Sequence, residues 1–181
     1  MARVAVIDPQ TATGETKQLL DAVQSGLGMV PNFIRVLANS PAALGAFLGI
    51  HRIAGEGALD LQTRERIALA IAEQNACQYC VSAHTAIGRK VGLDNHEMLA
   101  NRMGRSSDPK AEAALAFARS LIEHTGQVNA AEFDAVRRAG HSDAEIIEII
   151  THVAMNIFTN LLGKATQVEI DFPKIELNKA A

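Results

Sequence analysis

The chain has two cysteines, Cys77 and Cys80, three apart in the stretch AEQNACQYCVSAH (residues 72–84), with His84 four residues after the second. A thiol attacks only as the thiolate, and an imidazole within reach can take its proton or hold the anion. Two such thiols can also close a disulfide, so the trio holds the parts of a two-electron redox cycle. On one helix, residues three and four apart share a face, which aligns Cys77, Cys80 and His84 along one edge.

Residue types alone leave three readings open: a redox-active pair, part of a zinc site, or two small buried apolar side chains. Structural zinc usually takes four protein ligands, and beyond His84 the next candidates, His51 and His96, are scattered. Covalent haem attachment needs a histidine directly after the second cysteine, where this chain has Val81.

The elements that must position the trio are two helices meeting at Asn75. Asn75 and Gln78 have the spacing of a capping box, which predicts a helix starting at Asn75 with Cys77 in its first turn. Free amides and the helix dipole favour a thiolate there. The preceding segment, LDLQTRERIALAIAEQN, puts Leu61, Ile67, Leu69, Ala70 and Ile71 on a broad apolar face and reads as a helix ending near Asn75. In an antiparallel hairpin, residues equidistant from the turn lie side by side. The midpoint of positions 65 and 84 falls beside Asn75, so Glu65 is predicted to face His84, directly or through one water.

Further helices are expected in GETKQLLDAVQSGLG, in the proline-bounded MVPNFIRVLANSP, in PAALGAFLGIHRIAGEG, and at about 109–125, 129–139 and 142–162. The last starts at Ser142, with Glu145 three later. Only VAVI and QVEIDF hint at strand alternation, so the expected fold is all-α. One domain spans 1–181, with a short extended N-terminal segment. Residues 57–80 and 126–160 share a turn followed by a capped apolar helix, a likeness that generic helical patterning accounts for as well as duplication.

A net charge of −3 and 4% aromatic residues without tryptophan argue against nucleic-acid or anionic-membrane partners. With no secretory leader pattern and no apolar run of roughly 18–20 residues, a cytoplasmic location is expected. Thiols stay reduced there, and a Cys-x-x-Cys pair is catalytic or metal-binding rather than a staple.

Other polar residues carry less. His152, Asn156 and Asn160 form a polar stripe on the last helix, read as a buried hydrogen-bond network or an oligomer contact, with His152 as a candidate site-lining residue. Tyr79, between the cysteines, is another candidate. His51, His96, His124 and His141 are placed at helix ends or on the surface, Glu73 reads as a surface acid, and Met29, Met98, Met103 and Met155 as core fillers.

The segment TRERIALAIAEQNACQYCVSAHTAIGRKVGL resembles the core of the AhpD-like alkylhydroperoxidases, within the carboxymuconolactone decarboxylase superfamily. Arg64-Glu65, the Asn75 turn, Cys77-x-Tyr79-Cys80 and His84 carry the resemblance. GMVPNFIRVLANSPAALGAF, GHSDAEIIEII and the NIFTN…VEIDFP region extend it to roughly residues 25–175, on the peroxidase-related branch.

The resemblance implies an all-helical bundle, assembled as a homo-oligomer (dimer, trimer or hexamer), and a peroxidase cycle using Cys77, Cys80, His84 and Glu65. A hydroperoxide is the substrate, an external dithiol of the lipoyl or thioredoxin kind the reductant, and neither cofactor nor metal is required. It suggests Cys80 as the peroxide-attacking thiol and Cys77 as the resolving one, whereas the helix dipole favours Cys77. Tyr79 stands where the best-known members have histidine, and a phenol titrating near about 10 supplies no base at neutral pH. The competing functions are a general dithiol–disulfide oxidoreductase or redox sensor, and a non-catalytic helical oligomer binding a metal or partner at the Cys/His cleft. Lactone chemistry is a poorer fit, because the superfamily branch that performs it lacks the cysteine pair.

Overall fold

The structure, a computed structural model, describes residues 2–178, so the outer ends of the expected 1–181 domain lie outside the described residues. It contains α1 (Gly14–Leu27), α2 (Asn32–Leu37), α3 (Pro41–Gly55), α4 (Leu61–Gln74), α5 (Gln78–Lys90), α6 (Asn95–Arg102), α7 (Pro109–Glu123), α8 (Ala130–Arg138) and α9 (Asp143–Thr166). Among the described residues there is no strand; VAVI and QVEIDF are irregular.

Helix α4 is the central element. Eight of its residues, including every position from Arg66 to Ala72, are buried, and it packs against α5, α6, α7 and α9. A helix apolar nearly all round belongs inside a fold, and Ala68, Ala70 and Ala72 let neighbouring backbones approach. Leu61, expected on the apolar face, is instead 60% exposed, while Thr63 of the same turn is buried. Asp60 caps α4 by accepting from Thr63 N–H at 2.8 Å. Arg64 donates to the carbonyls of Leu59, Gly55 and Gly57, fixing the turn from α3 into α4.

Helix α6 has no counterpart among the sequence expectations. Its inward positions are Glu97, Met98 and Asn101, so polar residues stand where an apolar stripe would have announced it. Arg66 of α4 forms a 2.9 Å ion pair with buried Glu97.

Helix α9 starts at the expected Ser142–Glu145 capping box but continues to Thr166, where Gln167 turns left-handed (φ 52°). Its 24 residues have a mean hydropathy of 1.4 over the most apolar stretch, so by length and composition it could cross a membrane, contrary to the expectation. Here it packs against α3, α4, α5 and α7, with His152, Asn156 and Asn160 buried, the arrangement of a core helix.

The terminal segments lie across the bundle. Arg3 N–H donates to Thr166 O at 2.7 Å and Ile7 N–H to Arg35 O at 3.2 Å. Residues 168–178 cover the side of α5 that carries Gln78, Tyr79 and Ser82: Ile175 N–H donates to Ser82 Oγ, and Gln78 donates to Ile175 O and Glu176.

Candidate active site

The chain reverses direction between α4 and α5 within Asn75, Ala76 and Cys77. Ala76 takes φ 50°, a left-handed conformation uncommon outside glycine, and Cys77 N–H returns to Ala72 O at 2.8 Å. This reversal corrects the expected helix start. Asn75 closes α4, α5 begins at Gln78, and Cys77 itself is the N-cap, its sulfur accepting Cys80 N–H at 3.4 Å. The Asn75 side chain, instead of capping α5, donates to Asn160 Oδ1 of α9 at 2.9 Å. Lys164 of α9 donates to Asn75 O at 2.6 Å, so two α9 residues grip the turn.

Cys77 and Cys80 are joined by a disulfide and are 1% and 4% exposed. Helix α9 covers them at Gly163, where a Cβ would stand 3.4 Å from Cys77 Sγ and 3.9 Å from Cys80 Sγ. A glycine inside an apolar helix is a sign of close packing, and here the other surface is sulfur.

One turn along α5 from Cys80, His84 Nδ1 lies 2.8 Å from Glu65 Oε2 of α4. The two side chains are 22% and 16% exposed, a partly dry environment for the pair. A carboxylate only accepts, so Nδ1–H donates to Glu65 and the ring's lone pair is left on Nε2. The constellation is therefore a disulfide at the head of α5 and, one turn on, an imidazole whose tautomer is set by a carboxylate. It can pass protons and exchange electrons.

Two further histidines stand at the Glu65 level of the bundle. His51 on α3 is exposed at the surface, and partial desolvation by its surroundings favours its neutral form, an effect reinforced by His84 and opposed by Glu65. Nothing in its sequence context marks it as a neighbour of the dyad. Burial also keeps His152 neutral, with Arg64 acting in the same sense and a hydrogen bond with the Ala54 backbone opposing. His152 lines a groove of about 530 Å³ between α3 and α9, together with Ile50, Ile53, Ala54 and Glu148.

Tyr79 faces away from the dyad. Its hydroxyl donates to Asp171 Oδ1 at 3.0 Å and accepts Phe33 N–H at 3.2 Å, its ring lies between Phe33 and Phe172, and burial pushes the phenol up from its ordinary value. It ties the C-terminal segment to α2 and α5 and belongs to the same buried cluster as Cys77 and Cys80.

Several other expectations change. Glu73 is no free surface acid: it pairs with Arg102 at 2.6 Å and accepts Asn178 N–H at 2.6 Å. His141 is buried, with Nε2 bonded to Lys110 O, because the α8–α9 turn folds onto the start of α7. Met98 is a core residue, but Met29 and Met103, on helix-end turns, are 39% and 55% exposed. The His152–Asn156–Asn160 stripe is buried as a whole, and Asn156 donates only to its own helix, at His152 O. Among the described residues, no three His, Cys, Asp or Glu side chains gather in a way that could hold a metal ion.

Comparison with known proteins adds to this geometry. Residues 41–121, which contain the whole constellation apart from α9, match the carboxymuconolactone decarboxylase family. An uncharacterized peroxidase-related protein from Silicibacter sp. TM1040 is similar in structure, with a TM-score of 0.82 and 25% identity over 93% of this chain and 91% of that one. So is an alkylhydroperoxidase AhpD core protein, an uncharacterized peroxidase-related protein from Ralstonia eutropha JMP134, with a TM-score of 0.82 and 28% identity over 94% and 92%. The debrominase Bmp8, in complex with 2,3,4-tribromopyrrole, shares the fold at a TM-score of 0.78 and 21% identity over 94% of each chain.

Proposed function

The chain belongs to the AhpD/carboxymuconolactone decarboxylase superfamily, and from that premise we propose that it is a thiol peroxidase for organic hydroperoxides. The observation that carries this reading is the 2.8 Å contact between His84 and Glu65, one helical turn from the buried Cys77–Cys80 pair.

In the proposed cycle, His84 Nε2 takes the Cys80 proton, and Glu65 stabilises the imidazolium that results. The Cys80 thiolate attacks the outer peroxide oxygen, the O–O bond breaks, and the leaving alkoxide takes a proton from His84 to become an alcohol. Cys80 is then a sulfenic acid. The Cys77 thiolate attacks that sulfur, the S–O bond breaks, and hydroxide leaves as water after protonation. An external dithiol, of the lipoyl or thioredoxin kind, reopens the disulfide by two thiol–disulfide exchanges. Every step is carried by these side chains and the reductant, without a cofactor, in a reducing compartment such as the cytoplasm.

A second reading is a general dithiol–disulfide oxidoreductase. It is favoured by the Cys80 N–H donated to Cys77 Sγ, which stabilises a thiolate whether or not a peroxide is the oxidant.

Stopped-flow oxidation of the reduced protein by cumene hydroperoxide and by hydrogen peroxide separates the two. The proposal expects both to act faster than on free cysteine at the same pH, the organic peroxide foremost. Oxidation no faster than free cysteine by either would remove it.

A further inference from the structure

The grip of α9 on the Asn75 turn contains one group that its contacts do not account for. Asn160 is 2% exposed, and its Oδ1 accepts the Asn75 amide at 2.9 Å. That bond assigns the other side-chain atom as the NH₂, and this buried Nδ2 has no hydrogen-bond partner. A buried donor left unpaired is destabilising, so its retention calls for an explanation.

The surroundings supply one. Asn160 and Gly163 are three residues apart on α9 and therefore share a face. Gly163 is where α9 meets the sulfurs, with its Cβ position 3.4 Å from Cys77 Sγ. The Asn75 side chain bonded to Asn160 lies two residues before Cys77 in the same tight turn. A disulfide sulfur is a weak acceptor and a thiolate a strong one, so the acceptor strength under this face of α9 changes with the redox state.

We propose that Asn160 is the group that receives Cys77 when the disulfide opens: its side-chain N–H, unpaired in the oxidised protein, donates to the Cys77 sulfur of the reduced pair. This rests on the reading that the pair cycles. The Cys77 thiolate then takes one N–H from the backbone of Cys80 and a second from Asn160, and is held as the nucleophile that resolves the Cys80 sulfenic acid. With glutathione as reductant, two glutathione thiols give up two electrons and two protons. The Cys77–Cys80 bond opens to two thiols, of which Cys77 ionises, and glutathione disulfide forms.

The test uses Asn160→Asp, which keeps the shape and the acceptor for Asn75 but removes the donor, and Asn160→Ala, which introduces no charge. Each is made in the full chain, and again in Cys80→Ser and Cys77→Ser backgrounds that isolate one thiol. The readouts are the equilibrium of the pair with glutathione and the pH profile of iodoacetamide alkylation. Removing a charge-assisted hydrogen bond should shift the glutathione equilibrium about tenfold toward the disulfide and move the Cys77 alkylation profile to higher pH, with Cys80 nearly unmoved. An unchanged Cys77 profile in the alanine variant, or equal shifts at both cysteines, overturns the proposal. Neither readout involves a peroxide, so the outcome stands apart from that of the peroxidase assay.

Discussion

Glu65 Oε2 and His84 Nδ1 are 2.8 Å apart although the two residues are 19 positions apart in sequence, on the antiparallel pair α4 and α5. The contact fixes which ring nitrogen carries the proton, and it places a negative charge where an imidazolium would form. Glu65→Gln keeps an acceptor for Nδ1–H but removes that charge. The expected outcome is a 10–100-fold slower oxidation of the thiol pair by cumene hydroperoxide, about the size of a lost orienting partner, with unchanged helix content by circular dichroism. An unaltered rate constant would show that the carboxylate takes no part.

The order of the two thiols is open to direct chemistry. Cys80 precedes His84 by one turn, while Cys77 holds the N-cap and the Cys80 N–H. With His84 as base, Cys77→Ser should accumulate a sulfenic acid on Cys80, seen as a dimedone adduct by mass spectrometry after one equivalent of peroxide. An adduct found only in Cys80→Ser reverses the assignment.

Gly163 sets the room available to the sulfurs. A methyl group at 3.4 Å from Cys77 Sγ asks a few tenths of an ångström of its neighbours, so Gly163→Ala should fold and cycle. Gly163→Leu drives a branched side chain into the same space and should cost about 1–3 kcal/mol, the usual range for overpacking. Thermal unfolding of the oxidised proteins checks this; equal stability of the two variants would mean that α9 shifts freely away from the pair.

The part of the site that is legible in the sequence is the part made by neighbours along the chain. A hairpin relates Glu65 to His84 by counting from its turn, and that count needs only the position of the break. The details of the turn escape the same counting. Asn75 and Gln78 mimic a capping box, but the left-handed Ala76 spends two more residues on the reversal and hands the cap to Cys77. Contacts from α9 are harder still, since Asn160 and Gly163 reach the turn from 85 or more positions away, and no local pattern encodes that packing. Helix α6 stayed hidden because its buried face is polar: Glu97 is buried against Arg66 of α4, and Asn101 donates to Glu97.

Tyr79 gives a prediction that separates architecture from chemistry. Its hydroxyl bridges Phe33 N–H and Asp171, joining α2, α5 and the C-terminal segment away from His84. Tyr79→Phe leaves the ring packing but strands a buried amide, so a loss of about 1–3 kcal/mol in urea unfolding is expected. The rate of thiol oxidation should change less than twofold; a loss as large as that of Glu65→Gln would return Tyr79 to the site.

Glu97 makes stability depend on pH in a window set by its own ionisation. It is 6% exposed, pairs with Arg66, and accepts from Asn101, Ser106 and Ser107. Burial alone would raise its titration, but the hydrogen bonds outweigh it and hold the carboxyl down to about 2, below the ordinary 4.5. A folded value below the unfolded one means the stabilisation is complete above 4.5 and is lost as pH falls from there through about 2. Glu97→Gln removes the charge and leaves the Arg66 guanidinium buried without its counterion, which should cost about 3–5 kcal/mol at pH 7. The stability gap between wild type and variant, measured by urea unfolding from pH 7 down to 3, should narrow as wild-type Glu97 approaches protonation. A gap that stays constant would mean that the shape of the network, and not the charge of Glu97, holds α6 against α4.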